Sequence, residues 1–263
     1  MKAFSISLFL LLVLAYVPVL AQSEKFDYVA SYEYHFQPDS SDKTSTQTEY
    51  MNLLFNAGKS YFVSTTKFAL DTFQRANPGA GLGETMSFKN TLPKNRVKFE
   101  VERSKGGEAS YYYEKIFTTT FRAAFDAESL EWEMKGGKKK IGDYDCREAS
   151  TELGGRTYTA WYAPSISVPE GPYKFHGLPG LILEVSDAKQ QHRFLLSGLE
   201  QRSVEFPIAH RNLMDATMEE IAEVRGNQLQ NVRNSGFNVS PEMMQRAKAK
   251  LAKRNNPIEL AYQ

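Results

Sequence analysis

Between residues 26 and 36 apolar and polar positions alternate: Phe26, Tyr28, Ala30, Tyr32, Tyr34 and Phe36 share one face, while Asp27, Ser31, Glu33 and His35 lie on the other. A period of two predicts a long strand buried on one side and wet on the other. Shorter runs repeat the theme. Residues 50–55 and 60–63 flank Asn56-Ala57-Gly58-Lys59 and predict a hairpin. Val97, Phe99 and Val101 alternate, residues 110–117 make a further strand, and 143–150 pairs with 156–162 through Leu153-Gly154-Gly155. Gly136-Gly137 before Lys138, Lys139 and Lys140 predicts a solvated hairpin tip. The final hairpin joins 181–185 to 193–199.

Helical spacing is scarcer. Residues 66–75 predict a short helix lined by Phe68, Leu70 and Phe73, with Thr65 or Thr66 as its cap. Residues 77–84 read as a glycine-rich loop. Its Gly79-Ala80-Gly81-Leu82-Gly83 lacks the preceding strand and the partner residues that a phosphate-binding loop needs. Past Pro207 the pattern changes: Met214, Met218, Ile221 and Val224 or Arg225 follow helical spacing, with acidic residues on the other side. A second helix is predicted from Ser240 as N-cap with Pro241 at its first position, turning Met243, Ala247 and Leu251 inward. Many antiparallel strands followed by two C-terminal helices define an α+β domain over residues 22–263.

Residues 1–21 read as a signal peptide: Lys2, an apolar run over 8–19, and a small-residue cut after Ala21. Gln22 follows in place of a lipidated cysteine, so the sequence predicts an exported protein with neither a lipid anchor nor a spanning segment. With 32 Lys and Arg against 31 Asp and Glu, the chain has no global charge to draw it to nucleic acid. A single cysteine, Cys146, excludes a disulfide scaffold.

Catalytic signatures are sparse. The four histidines, at 35, 176, 192 and 210, form no helix-spaced pair, and no nucleophile-elbow motif occurs. The residues therefore nominate no catalytic group, no metal ligand and no cofactor. Asp143 and Asp145 lie two apart on a predicted strand and, without further ligands, read as an exposed pair. An alternative with chemistry in it joins Cys146 to His176 as a thiol site of an envelope hydrolase.

The most shaped stretch is 171–187. Pro179 and Gly180 suit the centre of a type II turn, which makes Gly177, Pro179 and Gly180 structural candidates. Around them gather Trp161, Tyr162, Tyr173, Phe175, His176, Leu178 and Leu181. An aromatic loop on a curved sheet is a candidate mouth for an apolar ligand or a partner protein. The other reading is that the same side chains plug the sheet as ordinary core.

His176-Gly177-Leu178-Pro179-Gly180-Leu181-Ile182 contains the string that names the GLPGLI family, and the chain resembles that family over most of its length. Also shared are Lys139-Lys140-Ile141-Gly142-Asp143-Tyr144 with Cys146 and Ala149, Gly155-Arg156 with Ala160-Trp161-Tyr162-Ala163-Pro164, Gly171-Pro172-Tyr173-Lys174-Phe175, and Asn255-Asn256-Pro257-Ile258-Glu259. The resemblance implies an exported, periplasmic envelope protein of Bacteroidota with no agreed catalytic residues. At the level of fold, the aromatic strands are similar to the half-barrel of periplasmic lipoprotein carriers, whose curved sheet wraps an apolar cavity under helices. Three functions follow as expectations: a non-enzymatic binder of a lipid-like molecule or an envelope protein, the hydrolase named above, or a purely structural interaction protein.

Overall fold

A computed structural model describes residues 23–208, 210, 212–229 and 240–262; the signal-peptide reading of 1–21 lies outside them. Among the described residues twelve strands form one open sheet. They are β1 (Ser23–Phe36), β2 (Gln47–Phe55), β3 (Lys59–Ser64), β4 (Phe99–Ser104), β5 (Ser110–Ile116), β6 (Thr119–Phe125), β7 (Glu133–Ile141), β8 (Tyr144–Leu153), β9 (Arg156–Ala163), β10 (Leu181–Asp187), β11 (His192–Pro207) and β12 (Leu213–Asp215). Their order is β12-β6-β5-β4-β3-β2-β1-β11-β10-β9-β8-β7. Every pair is antiparallel except β12 on β6. Helices α1 (Thr65–Ala76) and α2 (Leu82–Thr91) follow β3, and α3 (Met218–Gly226) and α4 (Pro241–Ala252) close the chain. The α+β reading holds, and among the described residues no helix is long and apolar enough to cross a membrane.

The sheet is strongly curled. Seven strand steps separate β5 from β9, roughly 34 Å across a flat sheet. Yet Tyr112 of β5 lies 6.3 Å from Tyr173, Tyr158 of β9 lies 4.7 Å from Phe175, and those two loop rings are 6.2 Å apart. Both wings therefore close on the same loop. Bulges in the pairing of β1 with β11, at Phe26/Tyr28 and Ser31/Tyr32, supply part of the bend. They also break the expected single face: Tyr32 and Tyr34 enter the main core, whereas Phe26 joins Val29, Leu54, Tyr61 and Phe206 in a second cluster. Helix α1 packs on that second cluster through Phe68, 5.3 Å from Phe206.

Several local expectations shift. Ser64, not Thr65 or Thr66, caps α1, accepting the Lys67 N–H at 3.2 Å. The glycine-rich segment leads into α2, which period counting misses because none of its residues is buried. Its start is marked instead by Glu84, which accepts the Gly81 N–H at 3.1 Å. The element preceding this loop is α1, not the strand a phosphate loop requires. The Gly136–Lys140 run is not a tip. It lies inside β7, where a register shift between Met134 and Lys138 absorbs the glycines, and the chain reverses at Gly142 and Asp143. Met214 sits in β12 rather than in a helix, because Thr217 starts α3 with a capping box to Glu220. Ser240 and Pro241 start α4 as expected, but Met243 is exposed.

Candidate functional site

The loop after β9 fills the trough. Phe175 and Leu178 are 0% and 1% exposed, and Tyr173, Tyr162 and Leu181 are buried with them. Tyr173, Phe175, Leu178 and Tyr162 share the main core, while Leu181 packs with Cys146, Ala163 and Leu183 in a separate cluster. Trp161 packs on this third cluster of Cys146, Ala163, Leu181 and Leu183, half-buried under the Lys139 ammonium at 4.4 Å. The sequence-nominated residues thus do not line an open mouth.

The turn differs from type II. The Gly180 N–H donates to the Leu178 carbonyl at 2.7 Å, a three-residue turn centred on Pro179, and the Leu181 N–H goes to Ile166. Gly177 has φ +88°. At Gly180 a Cβ would lie 2.3 Å from the Ala163 carbonyl oxygen, so only glycine lets the loop cross the end of β9 this closely.

His176 is half-buried, its Nδ1 2.8 Å from the Lys174 carbonyl oxygen, and Trp132 donates its indole N–H to the His176 carbonyl at 2.7 Å. Burial, then the nearby Arg103, lower its pKa. Cys146 is 2% exposed, with burial raising its pKa, and its sulfur lies 3.6 Å from the Tyr144 carbonyl oxygen. The two residues lie in different surroundings, and among the described residues no hydrogen bond joins them, so the thiol–imidazole pairing is not formed. Asp143 and Asp145 are exposed beside the β7–β8 turn.

The quoted motifs converge instead on a buried knot that pins the C-terminal tail. Arg156 pairs with Asp187 at 3.0 Å and donates to Asn256 and to the Pro257 carbonyl. The Tyr158 hydroxyl donates to the Ile258 carbonyl at 2.7 Å. Glu259 takes the Lys174 ammonium at 2.7 Å and the Tyr173 hydroxyl. Lys174 lies within 5.6 Å of the ring centres of Tyr112, Phe125 and Tyr173, an aromatic box occupied by the protein's own cation. Arg225 of α3 clamps Glu114 of β5 through two bonds, at 3.1 and 2.6 Å.

Pinned this way, the tail, α3 and α4 roof a cavity of about 640 Å³. Its floor includes Tyr34, Phe36, Phe99, Tyr112 and Tyr173, and its roof Met218, Ala222, Leu251 and Ile258. Pockets of about 300–1,000 Å³ with such walls hold drug-sized molecules. His192 stands at the inner wall, Nδ1 2.7 Å from the Tyr34 hydroxyl. Of the sequence-nominated residues only Tyr173 reaches this space. Phe36 and Tyr34 were legible as apolar strand positions. The roof was not, because it comes from residues some 180 to 220 positions away in the chain.

The fold and site define an open, strongly curled antiparallel sheet whose trough is roofed by C-terminal helices. Residues 151–184, which contain β9 and the loop, match the model of a family described as a protein of unknown function, Porph_ging. No curated protein matches the chain. Among solved structures, two crystal forms of PNGF-II are similar: one at TM-score 0.48 and 13% identity over 75% of this chain, the other at 0.48 and 12% over 72%. This chain spans 32% and 31% of the length of those chains.

Proposed function

We propose that the protein is a non-enzymatic binder that holds an apolar small molecule between its sheet and its C-terminal helices, in the periplasm that the leader pattern and family resemblance imply. The observation that carries this reading is the roofed cavity with its aromatic floor. Hydrophobic burial supplies about 25 cal/mol per Å² of apolar surface removed from water, so such walls favour an alkyl or aromatic ligand without directional chemistry. The loop at 171–180 supports the cavity from beneath through Tyr173, which packs on Phe175.

The test is binding of the neutral fluorophore N-phenyl-1-naphthylamine to the purified protein and to Ala222→Trp. Ala222 lines the cavity from α3, so an indole there projects into the space. Saturable binding by the wild type, lost in a variant with unchanged circular dichroism, is the expected result. No saturable binding by the wild type, or equal binding by both proteins, overturns the reading.

A further inference from the structure

The cavity is apolar inside and strongly cationic at its edge. Arg96, Lys98, Lys115, Lys248 and Arg254 all line it. Among the described residues none of the five has a carboxylate within ion-pair distance. The lining carboxylates are already engaged: Glu114 by Arg225 and Glu259 by Lys174. Glu49 lies nearby, but it is buried and accepts the backbone N–H of Arg96 at 2.9 Å. The Lys98 ammonium donates only to the Asn95 carbonyl, at 2.6 Å, and the Arg96 guanidinium to the Lys94 carbonyl, at 3.3 Å. Positions 1–22, 209, 211, 230–239 and 263, outside the described residues, contain no Asp or Glu in the sequence.

These cations also feel one another. Partial desolvation lowers the pKa of Lys98, and Lys89, Lys115 and Arg254 push it the same way against Glu49. Lys98 and Arg254 are nevertheless solvent-exposed as residues, so a bound molecule can reach them. A cluster of like charges at an apolar opening is relieved by an anion, and a hydrogen bond to a charged group contributes about 1.5–3 kcal/mol.

We infer that the cavity takes a single-chain amphiphile with an anionic head, the apolar chain lying over the aromatic floor and the carboxylate or phosphate between Lys98 and Arg254. This inference rests on the binding function proposed above. It adds what that function leaves open, namely the charge of the head and the residues that select it.

Three probes of one chain length decide it: oleate, oleoyl lysophosphatidate and oleyl alcohol, each competing for N-phenyl-1-naphthylamine below its aggregation concentration. We expect at least one anion to bind about tenfold more tightly than the alcohol, with the tighter of the two identifying the head, and the margin to shrink in high salt. In Lys98→Gln/Arg254→Gln the margin should disappear while alcohol binding persists. Equal affinity for all three probes, or a margin unmoved in the double variant, overturns the anionic-head inference and leaves the apolar-binding function standing. Failure of all three to displace a saturably bound fluorophore overturns this inference alone, whereas absence of saturable fluorophore binding overturns both.

Discussion

The Lys174 ammonium lies 2.7 Å from the Glu259 carboxylate, with both side chains at 6% exposure or less, inside a box of three aromatic rings. One partner comes from the loop that fills the trough and the other from the tail that roofs it. Burial lowers the Lys174 pKa and Glu259 opposes that shift, so the carboxylate is what keeps a buried cation tolerable.

Removing one member should therefore cost more than the pair contributes. Glu259→Gln is expected to lower unfolding free energy in urea by about 3–5 kcal/mol, because it strands an unpaired buried charge. Lys174→Met combined with Glu259→Gln should recover much of that loss, since glutamine still accepts from Tyr173 and no charge remains. A double variant no more stable than Glu259→Gln alone would show that the tail is held by something other than this pair.

His192 makes stability depend on pH. Burial first, then the nearby Arg156 cation, lower its pKa from 6.5 to about 4, with Asp187 opposing. Between those values the unfolded chain binds more protons than the folded one. The stabilisation is thus complete above pH 6.5 and is lost progressively as the pH falls toward 4. A shift of this size corresponds to about 3 kcal/mol at full protonation. His210, lowered to about 4 chiefly by burial, acts in the same direction, so the comparison must be with a variant. His192→Gln should lose less stability than the wild type between pH 7 and pH 4.5 in urea titrations. Parallel losses in the two proteins would remove His192 from the account.

The two glycines of the central motif should behave differently. Gly180→Ala drives a methyl into the Ala163 carbonyl oxygen, where backbone on both sides must move, and should cost about 1–3 kcal/mol or more. At Gly177 a Cβ meets nothing within 4 Å, so alanine there carries only the strain of a left-handed φ, on the order of 1–2 kcal/mol. Thermal unfolding of the two variants gives the order directly. If Gly177→Ala proves the more damaging, the close crossing over β9 does not govern the turn.

Local pattern was enough to place most strands. Alternation in β1, the Asn56 hairpin and the Ser240-Pro241 helix start all depend on residues within a few positions of one another, and all appear where the chain predicts them. The errors arise where non-local packing outweighs local preference. The lysines of β7 look solvated in sequence, yet Lys139 reaches Glu184 on β10 at 2.6 Å and covers Trp161. Helix α2 carries no buried face, so no periodicity marks it.

Composition and periodicity by themselves determined the α+β class, the aromatic character of the sheet and the special geometry at 177–180, because each follows from side-chain alternation or backbone freedom within a short window. Only the tertiary structure decided that Phe175 and Leu178 are core and that the roofed cavity lies beside them. That outcome depends on the curl that brings Tyr112 and Tyr158 to one loop, and on ion pairs such as Lys174–Glu259 and Arg156–Asp187, whose partners lie 85 and 31 positions apart. Aromatic residues are apolar wherever they stand. Which of them become floor, plug or wall is set by the path of a sheet that no short window describes.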